Sequence, residues 1–372
     1  MKSILNHIKK EVVLCVSLIL ALVSILFVLL DSKYISYIDF HTLVILLSLM
    51  IIMAGLRSLG IFSMIGSRML EKTRNARSLA MVLVMLCFGF SMLITNDVAL
   101  IAFVPFTIDV LVMAGLENYL IRIIVLQTIA ANLGSMLTPI GNPQNLYMFS
   151  LSGMSLGDFI SLMLPYTLLS FIGLMAACVL LIDRKTVVVK VESESALTVT
   201  GKRNAVVYLF LFLFALTSVA HIVSVYIAGA VTLAVVFLMD RRILRKPDYA
   251  LLLTFVLLFV FIGNMKRIPE ISLWLRGIIH GRELLTSVFA SQVISNVPAA
   301  ILLSGFTDNI SALIVGTNLG GLGTIIASMA SLISFKYYGT TTGKRNPAYL
   351  GVFTLLNLIF LAVLLPLYFI LS

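Results

Sequence analysis

The chain has 372 residues, of which 60% are apolar, with only 26 Lys+Arg and 16 Asp+Glu. Soluble domains carry about a quarter charged residues and just under half apolar ones, so this composition, with its mean hydropathy of +1.12, argues against a water-soluble enzyme, a disordered regulator and a secreted disulfide scaffold. The net charge of +10 is scattered in short clusters between long apolar runs, which speaks against a nucleic-acid partner.

A helix needs about 20 apolar residues to cross the hydrocarbon core of a bilayer. The first run, 11–30, follows Lys2, Lys9 and Lys10; it is too long for a signal peptide, lacks a small-x-small cleavage site, and reads as a retained span. Residues 40–57 form the next span. The polar stretch 57–77 is predicted to lie at a membrane interface. Residues 78–108 are apolar but broken near the middle by a polar tip, and 119–147 are long and apolar but interrupted by Asn, Gly, Thr and Pro. A span at 159–182 leads into a charged linker, 183–202. Spans follow at 203–221, 223–240 and 248–264, then a second interfacial stretch, 264–282. Residues 283–306 are again broken by a polar tip, 309–335 again interrupted, and 347–371 form the last span. Cys15, Cys87 and Cys178 each stand alone in an apolar run, with no disulfide or metal-ligand spacing. The predicted fold class is an all-α polytopic membrane protein with about nine spanning helices, two of them discontinuous.

Orientation follows from where Lys and Arg fall. With the N-terminus in the cytoplasm, the inside segments 1–10, 57–77, 183–203, 241–246 and 336–346 hold twenty basic residues, and the outside segments hold five: Lys33, Lys266, Arg267, Arg276 and Arg282.

The chain repeats itself. Residues 95–101 read Thr-Asn-Asp-Val-Ala-Leu-Ile and 295–301 read Ser-Asn-Val-Pro-Ala-Ala-Ile. Asn132-Leu-Gly is followed by Thr138, and Asn318-Leu-Gly by Thr324, each in the interrupted run after a broken one. The charge count inserts the two halves in opposite senses, which makes an inverted repeat: 1–182, the linker 183–202, and 203–372. Matching interrupted segments in inverted halves point to a secondary transporter and its binding site.

Unpaired peptide groups are costly in hydrocarbon unless they line a wet or ligand-filled cavity. Gly134 and Gly141 admit unusual backbone, Pro139 and Pro143 end helical pairing, and Gly320, Gly321 and Gly323 do so in the second half. Helix ends in mid-membrane expose N–H groups that suit anions, while carbonyls and the oxygens of Asn, Ser and Thr suit sodium. Asp97 alone among the acidic residues sits deep in an apolar run. Placing an ionised carboxylate there costs about 3 kcal/mol or more, so Asp97 is expected to face a cavity and hold a cation or proton. His221 is expected at a short outside turn. No catalytic constellation or cofactor signature stands out, so the chain is not read as an enzyme.

Thr95-Asn-Asp-Val-Ala-Leu, Asn132-Leu-Gly with Thr138-Pro-Ile-Gly-Asn-Pro-Gln-Asn145, Ser295-Asn-Val-Pro-Ala and Asn318-Leu-Gly-Gly-Leu-Gly-Thr together resemble the ion transporter superfamily. That group includes citrate transporters, divalent anion:sodium symporters, arsenite permeases and NhaD-type sodium/proton antiporters. The resemblance covers nearly the whole chain and implies two re-entrant hairpins, about 78–108 and 283–306, with broken helices at about 119–147 and 309–335 around a midplane site. It also implies a homodimer in which the substrate-bearing domain moves as an elevator. In carboxylate-carrying members a Ser-Asn-Thr tip holds substrate; here the third position is Asp97 in one half and Val297 in the other, and the Asn96-Asp97 tip is more similar to the arsenite and NhaD branches.

The expected substrate-binding residues are Thr95, Asn96, Asn132, Gly134, Ser135, Thr138, Asn142 and Asn145 in the first half. In the second they are Ser295, Asn296, Thr317, Asn318, Gly320, Gly321 and Thr324. Asp97, Asn96 and Asn296 are expected to couple the cation, and Pro139, Gly141, Pro143, Pro298 and Gly323 to break the helices. The expected function is secondary active transport of a small anion, an organic carboxylate or inorganic oxyanion, across the inner (plasma) membrane. Sodium or protons are the coupling ions, with no cofactor; the expected partners are the anion, the lipid bilayer and, by the resemblance, a second copy of the chain, with no nucleic acid. The alternatives are a sodium/proton antiporter using Asp97 and, from another class, a passive channel or non-transporting receptor.

Overall fold

A computed structural model describes residues 12–28, 30–70, 73–186, 199–220 and 222–371. The basic N-terminal segment, most of the linker and His221 lie outside these residues. The described residues form helices, turns and one isolated bridge between Asn75 and Thr186, with no strand.

Helix α1 (Val12–Phe27), α2 (Lys33–Tyr37) and α3 (Phe40–Ser58) come first. The amphipathic α4 (Ile61–Leu70) follows, then α5 (Ala76–Ser91) and α6 (Asn96–Met113). The first interrupted run is α7 (Leu120–Ser135), a 3-10 turn at Pro139–Gly141, and α8 (Pro143–Ser152). Helices α9 (Leu156–Leu181), α10 (Val199–Val219), α11 (Val225–Asp240) and α12 (Tyr249–Lys266) are long and apolar. The amphipathic α13 (Pro269–Ile279) precedes α14 (Glu283–Ile294) and α15 (Asn296–Ser304). The second interrupted run is α16 (Ile310–Gly320) and α17 (Met329–Tyr338), and α18 (Asn346–Leu371) closes the chain. Among the described residues six helices are long and apolar enough to cross a membrane: α3, α6, α9, most of α10, α12 and α18. The chain is an all-α, multi-pass membrane protein. On α9, α10 and α18 most side chains face outward, including Leu180, Phe210 and Ile370, as lipid contact requires.

Side chains set the helix starts. Asp39, Asp248 and Asn309 accept the backbone N–H of Thr42, Leu251 and Ala312 at 3.0–3.2 Å, capping α3, α12 and α16. Asn75 with Ser78, and Ser155 with Asp158, form reciprocal capping boxes for α5 and α9.

Helix length separates the two broken runs. At 1.5 Å per residue, the 12 and 9 residues of α14 and α15 reach about 18 and 14 Å, far less than the roughly 30 Å of hydrocarbon. The 16 and 18 residues of α5 and α6 reach about 24 and 27 Å. The first pair is therefore longer than a short hairpin demands, and α6 alone is long enough to be a candidate span.

Two packing groups meet. Helix α12 lies along α1, and α3 along α10 and α11. Helix α5 packs on α7, α14 on α16, and α6 on α17, with α8 touching both α15 and α16. Gly55 and Gly263 allow the closest approaches in the first group: a Cβ at either would stand 2.2 or 2.3 Å from the ring of Tyr208 or Tyr37.

Candidate transport site

The polar breaks come together in the interior. Helix α7 ends at Ser135 because Pro139 and Pro143 have no N–H to continue it. The chain folds back so tightly that a Cβ on Gly141 would stand 2.1 Å from the Ser135 carbonyl. Asn142 Nδ2 donates to Ser135 Oγ (2.6 Å), Asn145 Nδ2 to the Ser135 and Thr138 carbonyls (3.2 and 3.3 Å), and Thr138 Oγ1 to the Met92 carbonyl. This ties the break to the turn between α5 and α6.

The second break has no proline. Gly323 takes a φ of 112°, open to glycine alone at no cost. Gln292 of α14 holds this break: its Nε2 donates to the Gly320 and Leu322 carbonyls at 2.8 and 2.9 Å, and its Oε1 accepts from Thr324 N at 2.9 Å. Pro298, expected as a break, sits in the first turn of α15, where an N–H has no helical partner to lose.

Two asparagines start the inner helices in the same way. Asn96 Oδ1 accepts from Asp97 N and Asn296 Oδ1 from Val297 N, both at 2.9 Å. Asn96 Nδ2 donates to Asn132 Oδ1 at 3.0 Å, and Asn296 N to the Ala327 carbonyl at 2.9 Å. Each half also reaches into the other's break. Asn318 Nδ2 donates to Asn145 Oδ1 at 2.6 Å, and Asn132 Nδ2 to Ser331 Oγ at 3.4 Å, while Ser328 Oγ donates to Asn132 Oδ1 at 3.0 Å. Ser331 follows Asn318 by the same number of residues as Asn145 follows Asn132, so the two longer-range amide contacts are counterparts.

Asn96, Asp97, Asn142, Gln144, Asn296 and Val297 line a cavity of about 10 Å³, room for about one water or one small ion. Asn142 Oδ1 and both polar atoms of the Gln144 side chain are buried without a hydrogen-bond partner. An unpaired buried amide is expensive, so these groups fit a ligand better than an empty wall. The Asp97 side chain is half-buried and makes no ion pair or side-chain hydrogen bond with another described residue. It also faces a larger cavity of about 450 Å³, shared with Thr95, Arg57, Lys246 and Asp248. Groups of three or more His, Cys, Asp or Glu that could hold a metal ion are absent among the described residues.

Not every expected residue joins the site. The hydroxyl of Thr317 is used within its own helix, donating to the Leu313 carbonyl, and Thr324 is exposed beside Gln292. Gly134 and Gly320 serve close packing, against Ser91 and Ser291, and Gly321 comes close to the Asn296 amide. Ser295, between α14 and α15, has a φ of 73° and is the only non-glycine residue with positive φ among the described residues. Gln144, Gln292, Ser328 and Ser331 were not singled out from the sequence. Gln144 lay inside the quoted first motif, and the two serines match Asn142 and Asn145 by spacing. Gln292 had no signal beyond a polar residue in an apolar arm.

Comparison with known proteins shows the family. Residues 4–312 match the family described as citrate transporter. The chain is 32% identical over 303 residues to the inner membrane protein YbiR of Escherichia coli, covering 80% of each. It is 31% identical over 301 residues to the uncharacterized transporter MJ0456 of Methanocaldococcus jannaschii, covering 80% of this chain and 81% of the other. It is 26% identical over 303 residues to the uncharacterized transporter Rv2685 of Mycobacterium tuberculosis, covering 75% and 70%. With that match over most of its length, the chain belongs to the citrate transporter family, whose members are membrane transporters and not enzymes.

Proposed function

We propose that this chain is a secondary active transporter of the inner membrane that moves a small anion, coupled to sodium or protons. In this reading its two halves are inserted in opposite senses with the N-terminus in the cytoplasm, and the α5–α6 and α14–α15 pairs are re-entrant.

The observation that carries the reading is the convergence of two asparagine-started helices, α6 and α15, on one small cavity backed by both helix breaks. Helix starts present N–H groups and the positive end of the dipole to an anion. Asp97 stands beside them and opposes an anion while it is ionised and alone. A cation or proton on Asp97 removes that opposition, so cation and anion favour each other's binding, and by linkage the coupling is reciprocal. The larger cavity, with Arg57 and Lys246 among its exposed residues, corresponds to a state open toward the cytoplasm under the positive-inside rule.

Uptake into proteoliposomes under imposed sodium and pH gradients, with panels of carboxylates and oxyanions, tests this. Accumulation of an anion against its own concentration difference is the expected result; it is incompatible with a passive channel or a receptor. No accumulation under any gradient refutes the proposal.

One observation favours a second reading, a sodium/proton antiporter. Only the first tip carries an ionisable group, Asp97, where the second carries Val297, and Asp97 has no cationic side chain in ion-pair contact among the described residues. Sodium-driven proton movement with no permeant anion present would establish that reading.

A further inference from the structure

We infer that the transported solute is a monoanion with an apolar body, an aliphatic or aromatic monocarboxylate, and not a compact polyanion. This rests on the anion-transport reading above. The cavity of about 450 Å³ is of ligand size. One wall is a face of α3, from Leu46 through Leu49, Met50 and Met53 to Arg57 and Ser58. These positions recur at helical spacing over about 18 Å, a length that a compact solute does not need. Val98 and Ile101 of α6 add to the apolar lining.

The polar lining is confined to two groups. Arg57, Ser58, Lys246 and Asp248 are exposed, and Thr95 and Asp97 stand half-buried at the start of α6. The rest of the lining is apolar side chains and prolines. A solute with several carboxylates would lose water along these walls and find no donor there, which is costly. The charged lining groups are two cations, Arg57 and Lys246, and two carboxylates, Asp97 and Asp248. With a coupling cation on Asp97 the cavity carries one net positive charge, enough for one carboxylate and not for two or three. The apolar body gains instead by leaving water, about fourfold in affinity per buried methylene. The flexible side chains of Met50 and Met53 can fit bodies of different shape.

The test is calorimetric titration of the purified full chain in detergent, in sodium buffer at neutral pH. The ligands are the n-alkanoates from acetate to octanoate and, separately, citrate, with empty-micelle titrations subtracted. The expected result is an affinity that climbs severalfold per methylene until the cavity is filled, with citrate weaker than hexanoate. In Met50→Gln, which makes one stretch of the apolar wall polar, the slope with chain length should flatten. A wild-type series with no chain-length dependence, or citrate binding more tightly than every alkanoate, overturns the inference while leaving anion transport standing, and it is decisive even if the variant fails to fold. No binding of any of these anions overturns the inference as well; if, in addition, no carboxylate or oxyanion is accumulated in proteoliposomes while sodium–proton exchange is intact, the anion reading beneath it falls too.

Discussion

A Cβ on Gly134 would stand 2.6 Å from the Oγ of Ser91, and one on Gly320 would stand 2.6 Å from the Oγ of Ser291. Each serine lies one helical turn before the tip residue, Thr95 or Ser295, and each glycine ends an Asn-Leu-Gly triplet. The two halves therefore press the interrupted helix onto the preceding arm by the same device. Gly134→Ala and Gly320→Ala should each overpack this contact, at a cost of about 1–3 kcal/mol. Gly134→Ala should be the worse, because its new Cβ also meets the Phe88 carbonyl at 2.2 Å, and backbone cannot swing aside. Thermal unfolding of the purified variants in detergent checks this; wild-type melting of both would show that the contact is not tight.

Much of this was legible because lipid punishes irregular backbone. Every long apolar run of the sequence became a helix, and the runs at 119–147 and 309–335 broke where Asn, Gly and Pro interrupted them. Side chains that hold the breaks from elsewhere were not legible. Gln292 is one polar residue in a helix arm, and only the fold brings it to Gly320 and Leu322. The expectation that Pro298 breaks the chain failed to allow for its position in a first turn, where proline costs nothing. Thr317 was expected in the site beside Asn318, but an α-helical threonine satisfies its hydroxyl on a carbonyl one turn back.

The two tips turn differently. Residues 92–95 separate α5 from α6, and Thr95 has an ordinary φ of −65°. Ser295 alone joins α14 to α15, with φ 73° and ψ 154°, a region that costs a non-glycine residue of order 1–3 kcal/mol. Ser295→Gly should therefore melt above Ser295→Ala by about 1 kcal/mol or more, both having lost the hydroxyl. If the two variants melt together, the backbone at Ser295 carries no strain.

Gln292→Leu removes the donor shared by the Gly320 and Leu322 carbonyls and the acceptor for Thr324 N. Leaving such groups unpaired costs about 1–3 kcal/mol, and the loss should concentrate at the second break. Amide hydrogen exchange should rise in 320–328 while 136–142, held by Asn142 and Asn145, stays protected. Uniform loosening of both breaks would show that Gln292 has no particular hold on the second.

Asn318 and Asn357 are both buried, and each donates to a carbonyl one turn back in its own helix. Only Asn318 also donates to the other half, at Asn145 Oδ1. Asn318→Ala and Asn296→Ala should weaken solute binding by tenfold or more, in line with about 1.4 kcal/mol per tenfold; Asn357→Ala should affect stability without a matching effect on binding. Titration of folded, monodisperse protein separates the two, and equal losses of affinity in all three would remove the special status of the tips.

Asp97 links the small cavity to the large one, since its side chain lines both. An isosteric Asp97→Asn keeps the shape of the tip and the backbone bond to Asn96 Oδ1, so the fold and its melting should stay close to wild type. What it removes is the charge that a sodium ion or proton can neutralise. Solute uptake in the variant should lose its dependence on an imposed sodium or pH gradient, becoming at most equilibrative, while binding of the anion should no longer require the cation. A variant that still accumulates solute with wild-type gradient dependence would show that coupling resides elsewhere. If coupling is lost as expected, placing the carboxylate on the other tip, Asp97→Asn with Val297→Asp, asks whether the second half can take over: recovery of gradient-driven uptake would show that the two asparagine-started helices are interchangeable carriers of the cation site.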